Sequence, residues 1–313
     1  CPSEQTVEDV PQTNTVSFAD PHDYVDYLKR FGFTGVSISG GEPLMTYDKT
    51  LRYIRMVRQH LGDTVHLWMY TNGTLASEKR LKALRDAGLN EIRFDIGSLD
   101  YHLEPISMAV GLFDVVTVEI PAVPEDIDLL KEKVSELKER GVDYLNLHQL
   151  RLTPYNYRNL SKRNYTFLHG PKVTVLESEL TALRVMLHTL ERGIDLPINY
   201  CSFIYKHTYQ KAATRRRGAQ LIQKPHEDLT DTGLIRNLSI RGDAERIAAC
   251  ANQLGDIPGT KGLWALESGK ERLYFKASLW GHIDFTGVTL SVKYDITAIT
   301  PELFYGFAFK TVE

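Results

Sequence analysis

Residues 36–44, V-S-I-S-G-G-E-P-L, set a carboxylate beside a backbone stripped of side chains. Residues 36–39 alternate apolar and small polar side chains, the pattern of a short buried strand, and two glycines end it. Gly40 and Gly41 let a ligand come close to the main chain. Glu42 adds a negative charge beside that open backbone. It stands at the C-terminal mouth of the strand, where α/β barrels and open sheets bind their ligands. Pro43 has no N–H and suits the first turn of the helix expected next. An ordinary strand-to-helix turn with a solvated glutamate is the plainer alternative.

The string Gly40-Gly41-Glu42-Pro43 resembles the Gly-Gly-Glu motif of the radical S-adenosylmethionine (SAM) enzymes, and the resemblance runs over roughly the first two thirds of the chain. In that family the two glycines and the glutamate bind the amino group of SAM's methionine moiety. The resemblance also implies a 4Fe–4S cluster on C-x-x-x-C-x-x-C. Only Cys1, followed by Pro2, stands at the family's distance from Gly40. The expectation is that Cys1 is the third cluster ligand and that the chain as given lacks the first two. A diverged member without a cluster, or an unrelated barrel, are the other readings.

Further strand ends carry polar residues. Asn72, in Thr-Asn-Gly, has an amide for SAM or substrate, or forms a turn with positive φ. Asp95 could take ribose hydroxyls or cap the following turn. Glu119 sits inside an apolar strand and needs a partner, either a ligand in the barrel or an internal cation; the ligand side is expected. His148 shares a strand face with Asn146 by the period of two, and could meet adenine or substrate or be a core histidine. Cys201, on the last strand, is a candidate hydrogen-atom donor, a discounted auxiliary-cluster ligand, or a small buried residue. Cys250, in A-A-C-A, reads as core.

The elements that must position these residues alternate. Strands are expected from 36, then at 65–70, 91–96, 115–120, 142–152 and 198–204. Between them fall helices at 47–61, 77–87, 104–110, 126–140 and 177–192, with an earlier one begun by Asp20-Pro21. Six strands alternating with helices mean a parallel sheet with right-handed crossovers. The resemblance implies that this sheet is a partial (β/α)6 TIM-like barrel. From 230 the order changes to β-α-β-β, a small α+β domain suited to substrate or partner recognition. The expected organisation is a barrel at 1–210, a basic linker at 211–229 and the small domain at 230–313.

A net charge of −3 argues against bulk attraction to nucleic acid, and no apolar run is long enough to span a bilayer. Three cysteines are unlike a secreted disulfide scaffold, so a cytoplasmic setting is expected. Arg215, Arg216 and Arg217, near Tyr205 and Tyr209, could meet a polyanion or form a solvated helix end. The resemblance, which extends to uncharacterised relatives of the pyruvate formate-lyase activating enzyme, implies reductive cleavage of SAM to a 5′-deoxyadenosyl radical. It also implies an external electron donor of flavodoxin or ferredoxin type. A protein or peptide substrate is favoured over RNA or a small metabolite, and a cluster-free SAM-binding or scaffold barrel is the alternative.

Overall fold

The computed structural model describes residues 12–13, 16–267, 269 and 271–296. The described residues fall into two compact units, Phe18–Lys206 in the first, and those of Gln12–Ser17 together with those from His207 onward in the second.

The first unit is built on six strands: β1 (Gly35–Ile38), β2 (His66–Thr71), β3 (Glu91–Phe94), β4 (Val115–Pro121), β5 (Tyr144–His148) and β6 (Ile198–Cys201). All pair in parallel, and their order in the sheet is their order in the chain. With no reversal of order, right-handed crossovers put every connecting helix on one face, the winding of a (β/α) barrel. Those helices are α1 (Pro21–Arg30), α2 (Tyr47–Leu61), α3 (Glu78–Asp86), α4 (Glu104–Ala109), α5 (Ile127–Glu139) and α6 (Leu176–Glu191). Helices α1 to α4 pack in succession, and α5 packs against α6.

Local signals explain most ends. Asp20 caps α1 by accepting from His22 N–H (2.8 Å), with Pro21 at the first helical position. Strand alternation sends Leu67, Met69, Ile92, Phe94, Val118 and Leu147 beneath the helices, all buried. The strand expected at 142–152 is shorter, because the chain leaves the sheet after His148 and Leu150 N–H donates to Ser178 Oγ on α6 (2.8 Å). The last strand likewise stops at Cys201, because Ser202 caps a helical turn from Phe203. Pro43 is not in a helix. It sits inside a turn closed by Met45 N–H to Glu42 O (2.9 Å), and α2 begins only at Tyr47.

One side chain ties the floor of the unit together. Arg58 on α2 donates to the carbonyls of Gly62 (2.8 Å), Val65 (3.0 Å) and Gly88 (2.5 Å), and to Asn90 Oδ1 (2.7 Å). It therefore fixes the approaches to β2 and β3.

In the second unit, β8 (Leu234–Arg241) pairs antiparallel with β7 (Asp228–Leu229), β10 (Arg272–Phe275) and β11 (Thr289–Ile296), and β9 (Trp264–Leu266) pairs with β10. Helix α8 (Ala244–Gly255) covers one face, burying Ile247, Cys250 and Leu254 against Leu238, Ile240, Leu273 and Phe275. The segment 211–229, expected as a linker, instead holds helix α7 (Lys211–Ile222) and strand β7. Gly233 (φ +79°) lets the turn before β8 lie against α7: a Cβ there would stand 2.6 Å from Ala212 O. Arg215 Nε donates to Thr232 O (2.9 Å), and Arg216 pairs with Asp231. Two of the three adjacent arginines thus hold this turn rather than waiting for a polyanion.

Replacing Arg58 with Ala strands several part-buried carbonyls and is expected to lower stability by about 3 kcal/mol, with Lys recovering less than half because it lacks the fork. Urea denaturation followed by circular dichroism measures this, and a loss below about 0.5 kcal/mol would show that the fork is dispensable.

Candidate functional site

The site begins at the loop after β1. Gly40 (φ +94°) and Gly41 (φ +86°) both adopt a backbone that side chains disfavour, and no atom lies within 4 Å of where a Cβ would be on either. The two residues form an exposed, open cradle of main chain. Glu42 is held rigidly beside it. Its Oε1 accepts from Thr71 Oγ1 (2.7 Å) and Leu44 N–H (3.0 Å), and its Oε2 accepts from Asn72 N–H (2.7 Å). The carboxylate therefore clamps the end of β1 to the end of β2. With up to four lone-pair positions on a carboxylate, Oε2 keeps one for a further donor.

The sheet face opposite the helices is polar, and Arg93 is its centre. Its Nε and Nη2 donate to the two oxygens of Glu91 (2.7 and 3.3 Å), while Nη1 donates to Glu119 Oε2 (2.9 Å) and to Tyr70 OH (3.2 Å). The guanidinium also lies over the rings of Trp68 (5.0 Å) and Tyr70 (5.5 Å). Glu91 is completed by Thr117 Oγ1 (2.7 Å) and His66 Nε2 (2.8 Å). Burial pushes the Glu91 carboxyl up, but its hydrogen bonds with Arg93, His66 and Thr117 leave it below its ordinary value.

From Glu119 the network climbs towards the C-terminal edge. Glu119 accepts from Asn146 Nδ2 (3.2 Å) and from His148 Nε2 (2.5 Å). Lys206 Nζ meets His148 Nδ1 at 3.1 Å, and Cys201 is paired in register with His148 across β5 and β6. Burial opposes ionisation of Glu119, yet the hydrogen bond and charge of His148, with Arg93, lower its pKa to about 2. Burial also disfavours the imidazolium of His148, but hydrogen bonds to Cys201 and Glu119 raise its pKa. A protonated ring has no lone pair for Lys206, so protonation of His148 and the Lys206 contact exclude one another.

Residues 1–116 match the radical SAM superfamily. The match covers a little over a third of the chain. The matched residues include the cradle, Glu42, Thr71 and Arg93. A protein of Methanocaldococcus jannaschii named "Putative glycyl-radical enzyme activating enzyme" is 27% identical over 239 residues, 73% of this chain and 62% of that protein. The GTP 3′,8-cyclase of Aliarcobacter butzleri is 29% identical over 45% of this chain and 42% of its own length. The chain thus spans less than two thirds of either relative. Among solved structures, the radical SAM methyltransferase TsrM of Kitasatospora setae aligns over 43% of this chain and 31% of its own, at 17% identity and a TM-score of 0.34. That likeness is too low to establish a shared fold.

The residues singled out from sequence fare differently. Gly40, Gly41 and Glu42 come together at one strand end. Asn72 contributes its main chain to Glu42, while its side-chain Oδ1 closes a local turn with Thr74 N–H (3.0 Å) and Thr74 Oγ1 (2.5 Å). Asp95 accepts from Gly97 N–H (3.2 Å) and caps a short 3-10 turn. Glu119 has the internal cation that was one of its two readings: its carboxylate is engaged by Arg93, His148 and Asn146. Cys1 lies outside the described residues. Among those residues no group of three or more His, Cys, Asp or Glu could hold a metal, and Cys201 and Cys250 are buried free thiols. Among the described residues the cradle offers open main chain beside a fixed carboxylate, and no cluster set is present.

Thr71 and Arg93 escaped the sequence reading, and Lys206, at the head of the basic segment, was not expected beside His148. Two charges at alternate positions in E-I-R-F were the available signal for Arg93, since a strand face that repeats Glu and Arg must pair them.

The sign of the pH dependence follows from Glu119. With its carboxyl lowered to about 2 in the folded protein, its stabilisation is complete above the unfolded carboxyl's range and is lost as the pH falls towards 2. Glu119→Gln should remove about 3 kcal/mol of the acid-side stability loss between neutral pH and pH 2. Urea midpoints measured across that range would show it, and equal slopes in both proteins would refute the assigned ion pair.

Proposed function

We propose that this chain binds SAM at Gly40, Gly41 and Glu42 and acts as a radical SAM enzyme on a protein or peptide. The observation that carries the reading is the open glycine cradle beside a carboxylate already fixed by Thr71 and Asn72. An ammonium placed there meets Glu42 Oε2 and main-chain carbonyls with no side chain in the way. Because the clamp is made before any ligand arrives, the carboxylate does not have to be ordered on binding. A 4Fe–4S cluster, with Cys1 among its ligands, would supply the electron that cleaves SAM to methionine and a 5′-deoxyadenosyl radical.

The chain's own residues orient and shield. Asp95 and Asn72 stand at neighbouring strand ends for ribose and adenine polar groups. His148, set by Glu119 on one nitrogen and by Lys206 on the other, presents a ring of defined tautomer at the C-terminal edge. Below it the network of Glu119, Arg93 and Glu91, with the rings of Trp68 and Tyr70 against the guanidinium, fills the inner face of the sheet. The protein or peptide substrate is supported by the name of the Methanocaldococcus jannaschii relative. A flavodoxin- or ferredoxin-type donor is the corresponding electron source.

Glu42→Gln keeps the side chain's shape and removes its charge. SAM affinity by equilibrium dialysis is expected to fall at least tenfold, about 1.4 kcal/mol, with the circular dichroism spectrum unchanged. Unaltered affinity would sink the assignment. In the anaerobically reconstituted, reduced protein, release of 5′-deoxyadenosine tests the radical chemistry separately, and SAM binding without that product would favour a SAM-binding barrel.

A further inference from the structure

Helix α6 is amphipathic the wrong way round. Its buried face is Ser178, Thr181, Ala182, Val185 and Thr189, small and partly polar. Its outer face carries leucines: Leu180 (39% exposed), Leu183 (47%), Leu187 (52%) and Leu190 (78%), with Leu176 half-buried at the start. A helix that only covered a barrel would turn its leucines to the sheet and its polar residues to water.

The spacing of these leucines defines what can cover them. Positions 176, 180, 183, 187 and 190 step by four, three, four and three, the a/d seam of a heptad. Such a seam is narrow and accepts another helix with the same spacing. An identical helix brings an equally uncovered seam, so one two-fold contact satisfies both. Charge agrees with a parallel arrangement. Glu179 and Arg184 occupy opposite flanks of the seam, five residues apart, the separation at which parallel helices form crossed ion pairs. Arg184 is exposed and makes no ion pair among the described residues. Both recorded bonds of Glu179, to Gln149 and Tyr200, use Oε2. Oε1 is left for the crossing.

We propose that the α6 leucine seam is a self-association surface, pairing in parallel with α6 of a second copy of this chain. The helix has 16 residues, about 24 Å, which is short for the roughly 800 Å² per partner of a standard interface. The dimer is therefore a reversible one, with a Kd on the order of 10–100 µM.

Sedimentation velocity between about 1 and 300 µM should show the monomer converting to a dimer. The pair of changes Leu183→Glu and Leu187→Glu is expected to hold the protein monomeric throughout, with unchanged circular dichroism and unchanged SAM binding. Leu190→Cys places thiols face to face in a parallel pair, so mild oxidation should yield a disulfide-linked dimer well above the wild-type background from its own cysteines. A wild type that stays monomeric at the highest concentration, or a double variant that still dimerises, overturns the proposal and leaves the seam to a different protein. A wild-type dimer without the Leu190→Cys cross-link overturns the parallel pairing.

Discussion

Two carboxylates, Glu91 and Glu119, stand on the inner face of the sheet, and one guanidinium, Arg93, allows both to remain ionised there. Without Arg93 each would face the penalty of burying charge, and their mutual repulsion would add to it. The planar fork of Arg93 can serve two acceptors at once, while its faces pack on Trp68 and Tyr70. Strands β2, β3 and β4 are thereby locked in register by side chains as well as by main-chain bonds. The groups above inherit that order: Glu119 fixes His148, and His148 in turn is met by Lys206 and Cys201.

The cradle at Gly40 and Gly41 depends on the same frame in a different way. Its shape comes from two positive φ angles, but its position comes from Glu42 reaching across to Thr71 and Asn72 at the end of β2. A carboxylate with three protein donors does not wander. It leaves one lone-pair direction of Oε2 open beside the cradle. Loop backbone supplies the open space, and strand ends supply the rigidity.

The second unit uses its charges structurally. Arg215 and Arg216 are drawn onto the carbonyls and carboxylate of the turn at Asp231 and Thr232, and Gly233 permits the close approach. The run of three arginines, read along the chain, resembles an anion-binding patch. In space its first two members complete a turn that would otherwise leave main-chain acceptors exposed.

The alternation of strand and helix, the β-α-β-β tail and the cradle with its glutamate were legible in the sequence. These rest on short-range chemistry: period-two burial, glycine turns, and caps such as Asp20-Pro21. Tertiary structure decided the partners. Nothing within E-I-R-F says that Arg93 will span to Glu119, 26 residues on, because that contact exists only when β3 and β4 lie side by side. Pro43 looked like a helix start, and it became a turn because α2 had first to clear the loop that Glu42 ties down. Leu180, Leu183, Leu187 and Leu190 on α6 have a spacing that a heptad seam and a core stripe share. Only the placement of the helix on the sheet, with Val185 inward, showed which side those leucines occupy, because periodicity defines a face and packing alone decides what that face meets.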